Sequence, residues 1–170
     1  MTTIHGERVT LRPFHPDEVD LALAREPSED PERREVRRRR IALSGTRTVW
    51  EIMFAIEAEG RLVGDIQARC SDQAMPPGVW EVGLDLWETG DRGRGIGTEA
   101  VRMLTSHLFA REGAHRVQAT TDVENAAMRR SLEKCGFAYE GVLAAFMPVA
   151  EGPPRDYAMY ARTLHDVADL

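Results

Sequence analysis

The sequence predicts an α+β fold, a single domain over residues 1–170 whose sheet carries one strand–loop–helix crossover at its centre. Three observations lead there. Segments of period-two alternation are interleaved with segments of helical spacing in the order β-αα-βββ-α-β-α-ββ, which is neither a repeating βα pattern nor hairpins alone. A polar, glycine-rich stretch joins one middle strand to the longest helical segment. A chain of 170 residues, 42% hydrophobic and 29% charged, can bury one sizeable core, and no internal repeat or long linker divides it.

In chain order, Glu7–Pro13 (ERVTLRP) alternates and predicts a first strand. Asp17–Arg25 follows as a short helix, with Pro16 placed to start it. Pro31–Leu43 is a second, strongly basic helix. Trp50–Ala58 (WEIMFAIEA) and Arg61–Arg69 (RLVGDIQAR) alternate around Glu59-Gly60 and predict a hairpin. Pro76, Pro77 and Gly78 make Ser71–Gly78 a loop. Val79–Leu86 (VWEVGLDL) is the next strand and leads into the polar Glu88–Gly97. Across Ile96–Arg111, Ala100, Val101, Leu104, Leu108 and Phe109 form a helical stripe, with Gly113 at the C-cap position. Arg116–Thr121 is a short strand, and Asn125–Cys135 is a helix that stops at Gly136. Phe137–Met147 and Arg155–Thr163 close the chain as strands around a loop with Pro148, Pro153 and Pro154.

With 22 basic and 28 acidic residues the formal net charge is −6, which argues against a dedicated nucleic-acid binder and favours a neutral or cationic partner. No apolar run approaches the roughly 18 residues of a membrane span, and MTTIHGERVT has no signal-like apolar core. Two cysteines suggest neither a disulfide framework nor a metal cluster, so the expected setting is a reducing cytoplasm. His5, His15, His107, His115 and His165 show no ligand spacing, and no metal is expected. Lys134 is the single lysine among the 22 basic residues, a bias that with the many alanines suggests a GC-rich bacterial gene. The run Arg33–Arg40 (RREVRRRR) invites an RNA-binding reading, but Glu29, Asp30, Glu32 and Glu35 beside it favour a solvated helix face. Cys70 and Cys135 read as buried small apolar residues, and Trp50, Trp80 and Trp87 as core or pocket wall.

The chemistry-bearing segment is Leu84–Ala100, LDLWETGDRGRGIGTEA, where a strand runs through glycines into a helix. Glycines let consecutive amides turn inward without Cβ clashes, and the helix N-terminus adds a positive dipole end, so Arg92, Gly93, Arg94, Gly95, Ile96, Gly97 and Thr98 make a nest for phosphate oxygens. The Arg92 and Arg94 side chains add charge-assisted donors. A P-loop is disfavoured because it needs Gly-Lys-Ser/Thr after its spacer and the segment has no lysine. A dinucleotide fingerprint fails because Thr98 stands where the third glycine belongs, and His115-Arg116-Val117-Gln118 where an acidic residue is wanted. A bare tight turn is the structural alternative.

Arg-x-x-Gly-x-Gly (Arg92, Gly95, Gly97), followed about thirty residues on by Asn125-Ala-Ala-Met-Arg-Arg-Ser-Leu-Glu-Lys-Cys-Gly-Phe137, resembles the two signature regions of the GNAT superfamily of acyl-CoA-dependent N-acetyltransferases. ERVTLRPF and Glu81–Gly83 look most like its ribosomal-protein N-acetyltransferase-like branch. The resemblance covers essentially the whole chain. It implies a mixed, mostly antiparallel central sheet flanked by about four helices, with splayed central strands. It also implies that the diphosphate of acetyl-CoA lies on the amides of Arg92 to Thr98, and that the pantetheine arm pairs with Leu84 and Leu86 as an extra strand. Asn125 would bond the arm, although it could equally be only a helix cap. An amide near Leu84 would polarise the thioester carbonyl.

The implied reaction is direct acetyl transfer to a primary amine, a protein N-terminus, small-molecule amine or aminoglycoside-type acceptor. The amine must be neutral, which at pH 7 costs a lysine-like group on the order of 4.6 kcal/mol but an α-amine only about 1.4 kcal/mol. Glu81, on the strand beside the thioester, is the expected base, with Asp85 on the same face as competitor and a substrate-charge anchor as the alternative role. Family members commonly place a tyrosine seven residues after the asparagine to protonate the leaving thiolate. Leu132 stands there, and Ser131 is the chosen substitute over Cys135 and Tyr139, with solvent protonation as an option. That departure leaves a non-catalytic acyl-CoA-binding or sensing domain as the alternative, with an RNA- or ribosome-associated factor behind it. The acceptor cleft is expected from the first two helices and the Met147–Arg155 loop, and the resemblance allows a homodimer.

Overall fold

The computed structural model describes residues 1–70 and 75–168. Its sheet contains β1 (Ile4–His5), β2 (Val9–Arg12), β3 (Glu51–Ala58), β4 (Arg61–Arg69), β5 (Val79–Leu86), β6 (Arg116–Asp122), β7 (Ala138–Met147) and β8 (Arg155–Thr163). They lie in the order β1-β2-β3-β4-β5-β6-β8-β7. Every neighbouring pair is antiparallel except β5–β6, whose parallel pairing follows from the crossover through a helix between them. The helices are α1 (Val19–Arg25), α2 (Pro31–Ala42), α3 (Ile96–Arg111), α4 (Ala126–Lys134) and a short α5 (His165–Ala168). The α+β class and the mostly antiparallel sheet are as expected.

Several boundaries differ for local reasons. The first predicted strand, Glu7–Pro13, is β2, and an unpredicted two-residue β1 before it folds back on it, pairing Ile4 with Leu11 and His5 with Thr10. The expected helix from Asp17 begins as a 3-10 turn over Pro16–Glu18, and α1 starts only at Val19. Asn125 stands outside α4 as its N-cap. The four-residue α5 carries too little periodicity to be legible. The predicted loop Ser71–Gly78 lies partly outside the described residues, and its end turns into β5 through the Val79 N–H donating to the Pro76 carbonyl.

Helices cover both faces of the sheet, so the central strand β3 is buried on both. Ile52, Phe54 and Ile56 join the larger core with α3, which buries Ile96, Ala100, Val101, Leu104 and Leu108. Leu104 and Leu108 are fully buried, each stabilising the α3 docking by about 1.5–3 kcal/mol. Met53 and Ala55 point the other way, against Phe14, Ala22, Leu23 and Ile41 of the α1–α2 layer. Helix α2 buries only Ile41, and ion pairs hold much of the rest. Arg40 grips Glu51 through two 2.6 Å bonds, while Arg37, Arg38 and Arg39 pair with Glu26, Asp20 and Glu35. The arginine run thus largely meets carboxylates of its own chain. Among the described residues no helix is long and apolar enough to cross a membrane.

One irregularity positions the site. Pairing between β5 and β6 covers only Val79↔Arg116, Trp80↔Val117 and Glu81↔Gln118. Beyond it β5 continues to Leu86 against β4, and β6 to Asp122 against β8. The two strands therefore splay from Glu81 onward, opening a gap that exposes the β5 edge of Val82–Leu86.

Candidate active site

The mouth of that gap is closed by the loop between β5 and α3. Gly93 and Gly95 both sit at positive φ, +74° and +84°, a region costly for residues with a Cβ. Gly95 caps α3 with no side chain, so the amides of Ile96, Gly97 and Thr98 have neither an intrahelical partner nor a side-chain cap. Gly97 serves a different purpose: a Cβ there would lie 3.3 Å from Leu84 Cδ1 and 3.7 Å from Leu86 Cδ1, so its absence lets α3 settle closely on β5.

The loop is braced from outside. Asp91 is buried and accepts from Arg61, with Nη1 at 3.0 Å, while Arg94 pairs with Glu59 and lies 3.6 Å from Asp91. These arginines hold the Asp91 carboxyl below the ordinary aspartate range. The Arg94 side chain is therefore committed to carboxylates, whereas Arg92 donates to the Leu86 carbonyl at 3.1 Å and stays at the cleft. Ile96 sends its side chain into the core.

The cleft, about 450 Å³, is lined by Leu84, Asp85 and Leu86 of β5, by Arg92, Gly93, Gly95, Gly97 and Thr98, by Asn125 and by one face of α4. Of the expected donor-binding residues, only Arg94 and Ile96 lack a place in its lining. The α4 residues Ala127, Arg130, Ser131 and Lys134 follow i, i+3, i+4, i+7 spacing. Arg130 and Lys134 were missed by sequence reasoning, although that spacing alone could have grouped them with Ser131. With Arg92 they make the cleft strongly cationic.

Two expected donors are already partly engaged. The Asn125 side-chain oxygen accepts from the Met128 N–H at 3.1 Å, leaving its NH₂ for a ligand; capping and contact are compatible. Ser131 accepts from Thr98 Oγ1 and donates to the Ala127 carbonyl, both at 3.0 Å, so its hydroxyl faces the cleft with its proton directed into α4. Leu132 is fully buried. Burial pushes the Cys135 thiol up, and its S–H is aimed at the Thr98 carbonyl. Tyr139 packs on Tyr160 at 5.5 Å. Of the tryptophans, Trp80 is core, Trp87 is half-buried and Trp50 is exposed, contrary to expectation.

A second cavity, about 340 Å³, opens on the α1–α2 face and is lined by Arg25, Glu26, Arg37, Asp65, Gln67, Gly83, Leu84 and Asp85. Leu84 and Asp85 belong to both cavities, so the two meet at the splayed strand. Asp65 and Asp85 are direct cross-strand partners. Burial pushes the Asp65 carboxyl up and the charge of Asp85 adds to it, against the Trp87 indole N–H donating at 3.0 Å and the Arg37 guanidinium. Burial lowers the Arg37 guanidinium, whose Nε has no partner. Glu81 lies at the apex of the splay and lines neither cavity; it accepts from Arg69 and Gln118, each at 3.3 Å. Among the described residues no cluster of histidine, cysteine and carboxylate side chains is arranged to hold a metal.

Residues 8–138 match the family model described as the acetyltransferase (GNAT) domain. No curated protein matches by sequence. Among solved structures, Mycobacterium smegmatis RimJ in complex with CoA-disulfide is 24% identical, covers 98% of this chain and 89% of its own, and superposes with a TM-score of 0.79. RimL, a ribosomal L7/L12 alpha-N-protein acetyltransferase in complex with coenzyme A, is 20% identical over 97% of this chain and 99% of its own, with a TM-score of 0.71. A Salmonella typhimurium acetyl transferase that modifies the N-terminal serine of ribosomal protein L7/L12 is 19% identical over 96% and 99%, with a TM-score of 0.74. At these identities the likeness is one of fold.

Proposed function

This chain belongs to the acetyltransferase (GNAT) family, and on that premise we propose that it transfers an acetyl group from acetyl-CoA directly to a primary, cationic amine. The observation that carries this reading is the gap between β5 and β6 beyond Glu81, with uncapped amides at one end and the meeting point of two cavities within it. The donor side fits a diphosphate and an extended arm: amides at a helix start, three cationic side chains and a free strand edge. RimJ and RimL, which share the fold, hold coenzyme A.

Acetyl-CoA supplies the activated acetyl group and a thiolate leaving group. The protein holds its diphosphate on Gly93–Thr98 and its arm against Leu84 and Leu86, with Asn125 donating from the N-cap of α4. The amine enters from the α1–α2 face. Two carboxylates facing each other across strands repel unless a cation lies between them, so Asp65 and Asp85 draw an ammonium. Asp65, held by Trp87 with its proton affinity raised, accepts the ammonium proton; the freed nitrogen forms the new C–N bond as the C–S bond breaks. Glu81, the residue expected from sequence for this role, accepts from Arg69 and Gln118 and lines neither cavity, which favours Asp65 over it. Ser131 lines the cleft but gives its proton to the Ala127 carbonyl, so solvent protonates the departing thiolate.

The test is thiol release from acetyl-CoA across α-amino peptides, polyamines and aminoglycosides. Turnover with at least one amine is expected. Binding of CoA without turnover would favour a binding or sensing domain, the reading that the buried Leu132 supports.

A further inference from the structure

The phosphate loop leans on a residue 86 positions earlier. The Arg8 guanidinium donates through Nη1 to the Arg94 carbonyl at 3.0 Å and through Nε to Glu99 Oε2 at 3.3 Å. Glu99, in the first turn of α3, also accepts from the backbone amides of Arg8 at 2.9 Å and Val9 at 3.3 Å. Burial pushes the Glu99 carboxyl up, but the amides of Arg8, Val9 and Glu7 and the Arg8 charge more than offset this and hold it low. The approach depends on Gly95: a Cβ there would come within 2.9 Å of Arg8 Nη2.

In a trans peptide the carbonyl and the following N–H point in opposite directions. Fixing the Arg94 carbonyl toward Arg8 therefore turns the Gly95 N–H away from Arg8. The Glu99 N–H bonds the Gly95 carbonyl at 3.0 Å and in the same way sets the Ile96 N–H. Both amides belong to the nest, and left unclamped either peptide could flip and present a carbonyl to an anion.

We propose that Arg8, anchored by Glu99, is a positioning residue for donor binding, which clamps the Arg94 carbonyl outward so that successive loop amides face the diphosphate of the acyl-CoA. This rests on the reading of the loop as the coenzyme site. It differs from charge attraction by Arg8 itself, which is absent from the lining of the cleft.

The experiment is calorimetric titration with CoA of the wild type, Arg8→Ala and Glu99→Gln, with amide NMR shifts at Gly95 and Leu84 and thermal unfolding of each protein. Arg8→Ala is expected to weaken CoA about tenfold and to abolish the CoA-induced shift at Gly95, while the Leu84 shift survives at saturation. Glu99→Gln, which keeps the side-chain shape, serves if Arg8→Ala fails to fold and should give a smaller change of the same pattern. CoA affinity within twofold of wild type in the folded variants, or joint loss of both shifts, would overturn the positioning role. Wild type that does not bind CoA would instead overturn the parent reading.

Discussion

The cavities on the two sides of β5 are built by different means. The cleft proposed for the donor is largely backbone: glycines, helix-start amides and a strand edge supplied by a continuous stretch from Leu84 to Thr98, joined by one face of α4. The cavity proposed for the acceptor is made of side chains gathered from α1, α2, β4 and β5. A backbone site recognises a shared chemical group and is sensitive to backbone geometry. A side-chain site is tuned by single substitutions, so under the proposed function that is where substrate choice would reside.

The contrast is broken most severely at Gly95. Gly95→Val places a branched side chain at positive φ against Arg8, and CoA affinity measured by calorimetry should fall about a hundredfold while the stability loss stays near 1–2 kcal/mol. On the acceptor side, Asp65→Asn should lower kcat/KM for the amine about tenfold or more with CoA affinity unchanged, as steady-state kinetics with separate donor and acceptor titrations would reveal. Loss of donor affinity in that variant would mean the two cavities are not separable.

Asp65 also carries a pH signature. Its carboxyl is raised in the folded protein, so the native state holds that proton more tightly than the unfolded chain does. Its contribution to stability therefore falls as pH rises from the ordinary aspartate value through the raised one. At neutral pH Asp65→Asn should be as stable as wild type or more stable by up to about 1 kcal/mol in urea unfolding. Its acceptor kcat/KM should also lose the acid limb that wild type shows as Asp65 ionises.

Smaller effects sharpen the comparison. Glu81→Gln should reduce turnover by less than about threefold, since the side chain lines neither cavity. A loss near a hundredfold would return the base to Glu81 and remove Asp65 from that role. Ser131→Ala should have the least effect, within about twofold in kcat at pH 7, because its proton is already given to the Ala127 carbonyl.

What could be read in advance follows the same division. The glycine spacing from Arg92 to Gly97, the Asn125 cap and the helical stripe of α3 are local patterns, set by φ preference, capping and periodicity, and each was recovered with nearly its observed boundaries. Arg130 and Lys134 were within reach by the same helical spacing. Asp65 was not, because a carboxylate in an alternating strand looks the same whether it faces solvent or a buried partner. Its meaning depends on the β4–β5 register that sets it opposite Asp85 and on α2 packing Arg37 over both.

By itself the sequence carried the family resemblance, most of the strand and helix order and the glycine-rich turn into α3, since these rest on interactions among neighbours in the chain. Only the tertiary structure decided where β5 parts from β6, that Arg94 is taken up by Glu59 and Asp91, that Glu81 is drawn to Arg69 and Gln118, and that Arg8 reaches the loop. Those outcomes are contests between partners distant in the chain. Burial and distance settle them, and neither exists before the sheet has formed.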